Sequence, residues 1–378
     1  MSSNDPEVPF NDLLRIHAPL MTDFKDCLER IILGSSFVLG SEVEEFEKSL
    51  AKIENVSYAI GVNSGTSALE LALRACEIGE GDEVISPALT FVATCFSILQ
   101  VGATPVLVDI TPESGLIDLN RIQSAITPRT KAIIFVSLHG RVDHLAELQE
   151  ICTKNHLKFI IDAAQSHLGT YREFSQTSYC DVATLSFYPG KNLGALGEGG
   201  AVMTNSDEIN KKIRIMRDWG ATEKYTHTEW GGNFRLEPIQ AAFLSIKLSQ
   251  IHDWTRQRQE IASFYSANIF NDVLLNEVSN DGSHVYHIFS LQVSNRSAVI
   301  STLQASRIGF GMHYPRAIHQ NEWYHSRVKI LDSLKNAEDF AMKTLSLPLF
   351  PGQTHEEASK VVNVVNGLKN KLFIALGE

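Results

Sequence analysis

Residues 186–200 read SFYPGKNLGALGEGG, and the apolar run 201–203 follows directly. One lysine, Lys191, stands between a Ser-Phe pair and the glycines 194, 197, 199 and 200. A phosphate-binding GxxxxGK[ST] loop needs glycine at position 185 and a hydroxyl at 192, where this chain has Leu185 and Asn192. Nor do the glycines spell GxGxxG ahead of a helix, so a dinucleotide fingerprint, and with it a NAD-dependent dehydrogenase, is not expected. What remains is an amine that aromatic and glycine neighbours can desolvate, which lowers its pKa and makes it a nucleophile toward a carbonyl. The plain alternative is a solvated lysine on a glycine-rich loop.

Outward from this turn, short β-branched runs alternate with longer helical patterns. Strands are expected at 58–62, 83–86, 105–108, 132–138, 159–161, 183–187 and 201–204, and helices at 67–75 and 91–101. Such alternation builds an α/β fold, a mostly parallel central sheet flanked by helices on both faces. A sheet of this kind gathers ligands at the carboxyl ends of its strands. Helical patterning returns at 207–217 and 238–268, followed by a strand at 285–293, a turn-rich part around 309–315 and a helix from Thr354 onward. Residues 1–250 are therefore expected to form a large domain and residues 251–378 a smaller one. The first forty or so residues are expected to pack back on the large domain.

A chain of 378 residues that is 44% hydrophobic can bury a substantial core. Its net charge of −11, with no long basic run, argues against nucleic acid or an anionic membrane surface as partner. An anionic small molecule needs only a local cluster of cations. Cys27, Cys76, Cys95, Cys152 and Cys180 are widely spaced, without a CxxC pair, and read as reduced thiols. The start MSSNDPEVPF has neither a basic nor an apolar leader region, and no window approaches the roughly 18 apolar residues of a membrane span. A cytoplasmic protein is expected. Its histidines are scattered, the nearest pair being His284 and His287, and no metal site is expected.

Two further turns follow expected strands. In NSGTSALE (63–70), Ser67 and Glu70 fit a capping box, and Gly65 allows close backbone approach at a helix N-terminus. A phosphate fits there, although a plainly capped helix is the commoner reading of that signal alone. In FIIDAAQSH (159–167), Asp162 ends an apolar strand and must find a cationic or hydrogen-bonding partner. Taken alone it reads equally well as an N-cap. A carboxylate here can hold the protonated nitrogen of a pyridine ring, and Gln165 can reach a neighbouring ring substituent. Phosphate cradle, carboxylate and carbonyl-reactive lysine together are the components of a pyridoxal 5′-phosphate site.

At these residues the sequence resembles the DegT/DnrJ/EryC1/StrS family of pyridoxal-phosphate-dependent sugar aminotransferases. The similarity runs along essentially the whole chain, including FVLGSEVEEFEKSLA (37–51), GDEVISPALTFVAT (81–94), DAAQSH (162–167), GGNFRLEPIQAAFLSIKL (231–248) and SLPLFPGQT (346–354). It implies an aspartate aminotransferase-like fold type I with a smaller C-terminal α+β domain. It further implies that Lys191 binds the cofactor covalently and shuttles the substrate proton, that Asp162 pairs with the ring nitrogen, and that Gln165 contacts the ring oxygen. Gly65, Thr66 and Ser186 would hold the phosphate, and Phe91 matches the aromatic stacked on the ring, its plain alternative being a core phenylalanine. Asn233 matches an asparagine that reaches the phosphate from the neighbouring subunit, which implies a homodimer with shared active sites.

Within that family, Tyr188 and Pro189 before the lysine and KNLGALG from it onward are similar to enzymes that aminate C3 of a nucleotide-linked 3-keto-6-deoxyhexose. The expected nucleotide is dTDP and the expected donor L-glutamate. Amination at C4, a lyase and a non-catalytic regulator are the alternatives. His313, Tyr314 and His319 resemble the family's segment over the sugar, and Arg217, Lys224, Tyr225 and Arg235 are candidates for the diphosphate. Two departures stand out: SLHGRVD (137–143) replaces an HLYG-type strand end and looks shortened, and GEGG (197–200) replaces GDGG.

Overall fold

The computed structural model describes residues 6–273 and 279–368. Its central sheet contains β1 (Tyr58–Val62), β2 (Glu83–Pro87), β3 (Thr104–Val108), β4 (Thr130–Val136), β5 (Lys158–Asp162), β6 (Val182–Ser186) and β7 (Gly200–Thr204). They lie in the order β1-β7-β6-β5-β4-β2-β3, and Lys329–Ile330 completes the eight-stranded sheet beside β3. Strand β7 runs antiparallel to both neighbours, while the remaining pairs are parallel. The carboxyl ends of β1, β2, β4, β5 and β6 consequently share one edge.

Side chains alternate between two cores. Ile133, Phe135, Phe159 and Ile161 enter one, and Ile134, Val136 and Ile160 the other. Because both faces are covered, the strands read as continuous apolar runs rather than alternating ones. Helix α1 (Met21–Gly34) packs on α6 (Pro238–Leu248), while α2 (Ser41–Ile53), α3 (Gly65–Ala75), α4 (Val92–Gln100) and α5 (Asp207–Arg217) lie against the strands, and α7 (Ile251–Asn268) follows α6. Leu71 of α3 and Ile213 of α5 pack in one core, and Leu50 of α2 and Leu244 of α6 in the other. Burying each such side chain contributes roughly 1.5–3 kcal/mol. A third core joins Tyr265 of α7 to the antiparallel pair β8 (Phe289–Gln292) and β9 (Thr344–Leu347) and to Val361 of α8 (His355–Asn366).

Several sequence expectations need correction. Helix α3 starts at Gly65, and its N-cap is Ser64, whose Oγ accepts from Ser67 N at 3.1 Å. Glu70 is no capping partner; it is buried and accepts from Arg74 at 3.0 Å. The extended backbone of Ser64 (φ −166°, ψ 163°) brings its hydroxyl over the first turn, which Ser67 inside the helix cannot do. The helical patterning at 238–268 holds, as two helices separated at Gln250 (φ −101°, ψ −9°). The strand expected at 285–293 is only β8, since Tyr286 has φ 46°, which no strand accommodates. The N-terminal segment packs on both parts of the chain. Phe24 meets Phe243 of α6 at 5.1 Å, whereas Val8 bridges to Ile308 and Arg15 pairs with Glu357 at 2.7 Å.

Candidate active site

The shared strand edge opens on a cavity of about 760 Å³. Ser186 ends β6, and the chain turns immediately, with Lys191 N donating to the Tyr188 carbonyl at 2.9 Å. Gly194 then crosses back over Pro189, where a Cβ would lie 2.3 Å from the Pro189 carbonyl oxygen, so no other residue fits. This tight turn leaves Lys191 on the cavity wall. Its ammonium has no hydrogen bond or ion pair among the described residues. Burial lowers its pKa to about 8, against the opposing attraction of Asp162.

Asp162, the last residue of β5, is 5% exposed. Its Oδ2 accepts from Thr94 Oγ1 at 2.7 Å and its Oδ1 from Ala164 N at 3.2 Å. Burial raises its pKa despite those donors and the pull of Lys191. Each member of this pair is thus pushed toward its neutral form. Two groups that line one cavity without pairing behave this way, because desolvation outweighs a distant attraction.

The third wall is the start of α3. Gly65 and Thr66 line the cavity, and their amides have no acceptor among the described residues. Together with the helix dipole they favour an anion. A Cβ on Gly65 would lie 2.7 Å from the Cβ of Ser186, so glycine alone lets α3 and β6 close into a cradle.

The remaining expected residues divide. Gln165 lines the cavity, its Oε1 accepting from His139 N at 2.6 Å and its Nε2 donating to the Tyr314 hydroxyl at 3.1 Å. One amide hydrogen is left over. Phe91 is not a core phenylalanine: it precedes α4, is 51% exposed and lies 5.6 Å from the Tyr314 ring. Tyr188 and His313 also line the cavity, and His313 Nδ1 meets Ser346 Oγ at 2.8 Å. His319 does not line it; it is buried, with Nε2 2.8 Å from Glu338. Asn233 is exposed outside this chain's cavity, where its carbonyl accepts from Asn63 Nδ2 at 3.2 Å. Of the diphosphate candidates, Arg217 is buried against Glu47 at 2.5 Å and Arg235 pairs with Asp218 at 2.5 Å. Lys224 and Tyr225 sit exposed at a small hairpin.

Sequence reasoning missed four supports. Thr94 feeds Asp162, and His167 Nε2 donates to the Ser186 carbonyl at 3.0 Å. His139 Nε2 donates to the His313 carbonyl at 2.7 Å. Arg258 lines the cavity from a helix whose charges suggest a solvated face. Its spacing with Trp254, Ile261 and Tyr265 marks the buried stripe and is the signal that reveals it.

The cavity therefore presents an unpaired amine, a buried carboxylate without a cationic partner and an anion cradle on separate walls. A phosphorylated pyridine aldehyde supplies what each lacks. Fold and site together define a pyridoxal-phosphate enzyme of the aminotransferase type. The profile of the DegT/DnrJ/EryC1/StrS aminotransferase family matches residues 20–366, and the chain belongs to that family, whose enzymes use pyridoxal 5′-phosphate. The chain is 39% identical over 360 residues (95% of this chain, 99% of the relative) to dTDP-3-amino-3,6-dideoxy-alpha-D-galactopyranose transaminase of Aneurinibacillus thermoaerophilus. It is 36% identical over 362 residues (95% and 96%) to dTDP-3-amino-3,4,6-trideoxy-alpha-D-glucose transaminase of Streptomyces venezuelae. The crystal structure of S. venezuelae DesV in complex with a ketimine intermediate superposes with a TM-score of 0.93 at 36% identity, covering 96% of this chain and 98% of that one.

Proposed function

We propose that this chain moves an amino group from L-glutamate to the C3 keto group of a dTDP-linked 3-keto-6-deoxyhexose. One observation carries the transamination: the unpaired Lys191 amine, with a pKa near 8, shares a cavity with Asp162 and the Gly65 cradle. The sugar and the position rest on the two relatives, both named for 3-amino sugars on dTDP.

When bound, pyridoxal phosphate supplies a carbonyl that condenses with amines and a ring that accepts an electron pair. In its neutral form Lys191 holds that carbonyl. Lys191 Nζ, when free, would take the proton from the donor's α-carbon and hold it for return to the amino-group carrier. In the second half Nζ runs the same transfer in reverse on the sugar. Asp162, hydrogen-bonded by Thr94, would hold the positive ring nitrogen. The amides of Gly65 and Thr66 and the Ser186 hydroxyl would hold the phosphate, Phe91 would cover the ring, and the spare Gln165 hydrogen would be available to the ring oxygen. Tyr188, His313 and Tyr314 flank the sugar. The family resemblance supports Asn233, exposed and outside this cavity, as a residue that serves the cradle of a second copy in a homodimer.

Mass-spectrometric assay with 15N-labelled glutamate against 3-keto and 4-keto sugars on dTDP, UDP and GDP tests the reading. Label on the 3-keto dTDP sugar supports it. Label confined to 4-keto sugars, or to none, overturns it.

A further inference from the structure

Residues 8–13 run from the third core to the cavity. Val8 is buried in that core and bridges to Ile308, and Gly309 N donates to the Val8 carbonyl at 2.8 Å. The Phe10 ring stacks on His313 at 5.7 Å, and a Cβ on Gly309 would collide with Phe10 N, so the two segments lie flush. Asp12 then caps the helical turn that begins at Leu13, its Oδ1 accepting from Leu14 N at 3.1 Å. Asn11, held from both sides, lines the cavity between Phe10 and Leu13. Its Oδ1 is buried and accepts no hydrogen bond among the described residues. The other buried side-chain oxygens in that condition, on Glu54, Asn63, Thr177, Thr255 and Gln353, all lie off the cavity wall. Leaving a buried carbonyl oxygen without a donor is costly, whereas an apolar residue of the same size at position 11 would carry no such cost.

We propose that Asn11 accepts a hydrogen bond from a sugar hydroxyl beside the reacting carbon and so selects acceptors that carry it; this rests on the sugar reading above. Position argues for that group. Asn11 Nδ2 lies 3.9 Å from where a Cβ on Gly190 would stand, and the Tyr188 ring borders the same point at 3.7 Å. Gly190 adjoins Lys191, so Asn11 overlooks the turn that carries the amine. Chemistry narrows the choice. Lys191, Asp162, Gln165 and the Gly65 cradle suit the cofactor's polar atoms, which leaves Asn11 to a substrate. The carboxylates of glutamate and an ionised diphosphate accept hydrogen bonds and have none to give. A nucleotide base has an N–H, but a diphosphate separates it from the hexose. The hydroxyls on C2 and C4 flank the reacting carbon, and each can donate. Phe10, Leu13 and Phe91 supply apolar surface around them, so one well-placed oxygen fixes orientation in an otherwise apolar part of the wall.

The test reads cofactor absorbance in holoenzyme treated with one amino sugar nucleotide at a time, which runs the sugar half alone. The better converted of the gluco and galacto forms of dTDP-3-amino-3,6-dideoxyhexose is compared with its 4-deoxy and 2-deoxy counterparts. The unaltered enzyme converts one of the two deoxy sugars about 10- to 100-fold less efficiently than the parent, the loss expected when a buried acceptor goes unmet, and the sugar that suffers names the carbon. In Asn11→Leu the parent falls to the level of that deoxy sugar, which itself changes by less than about threefold, so the preference disappears. Equal conversion of all three sugars by the unaltered enzyme overturns the proposal. A preference that survives in Asn11→Leu overturns it too, as does a uniform loss on all three sugars, which marks residue 11 as wall packing alone. If Asn11→Leu does not fold, Asn11→Ala, which removes the same oxygen without adding bulk, is read by the same criteria. No conversion of any of these sugars by an enzyme that glutamate does convert sinks the sugar assignment and this proposal together, whereas the other failures leave that assignment standing.

Discussion

Thr94 Oγ1 donates to Asp162 Oδ2 at 2.7 Å, joining the first turn of α4 to the end of β5 across 68 residues of sequence. Thr94 in turn shares a 2.8 Å hydrogen bond with Thr90. Replacing Thr94 with Val keeps the shape and removes the donor, leaving a buried carboxylate with the Ala164 amide alone. Apoprotein stability drops by about 1–2 kcal/mol in urea unfolding. The Asp162 pKa climbs further, so the acid limb of the pH–rate profile moves upward. An unmoved acid limb rules out the role assigned to Asp162.

Lys191→Ala binds the cofactor but loses turnover by at least about 1,000-fold. Near-normal turnover would falsify the mechanism. In the unaltered apoprotein only the neutral amine captures the aldehyde, and the Lys191 pKa is about 8. Stopped-flow capture therefore accelerates as pH rises through 8 and then levels off.

Gly65→Ala places a methyl 2.7 Å from the Ser186 Cβ and 3.2 Å from its Cα. The cradle must open, since the nearest atoms belong to a strand end and not to a flexible tip. Cofactor dissociation constants measured by fluorescence quenching rise about tenfold, and the apoprotein loses about 1–3 kcal/mol through overpacking. An affinity that does not change places the phosphate elsewhere.

His139 and His167 have pKa values near 3 and His313 near 4, each lowered from 6.5 by burial. Their folded values lie below the unfolded one, so the unfolded chain binds more protons in between. The stability they contribute is whole above pH 6.5 and is lost as pH falls toward 3. Each ring adds up to about 1.4 kcal/mol per pH unit to the slope in that window. His167→Gln, which can still donate to the Ser186 carbonyl, flattens the slope of urea midpoints between pH 6 and 4; an unchanged slope refutes this account.

The strand at 58–62 and the helix at 207–217 were legible because their apolar periods are local, and so was the helix capped by Thr354, which exchanges hydrogen bonds with Glu357. Lys191, Asp162 and Gly65 each had an ordinary reading when taken alone, and only their joint occurrence after three strands marked them as candidates, which the shared cavity lining now brings together. The strand expected at 285–293 was not, because Tyr286 takes a left-handed backbone and folds back on His284, its ring stacked at 3.9 Å, which its apolar pattern does not reveal.

By itself the sequence determined the strand-helix alternation, the tight turn around the reactive amine and the family resemblance, since all of these are written in neighbours a few positions apart. Only the tertiary structure decided that Thr94 serves Asp162, that Arg217 is spent on Glu47, that His319 turns to Glu338 and that Arg258 faces the cavity without a counterion. Those pairings depend on which distant strands lie adjacent and on which groups lose their water there, and burial, being a property of the packed whole, has no signature in any single stretch of chain.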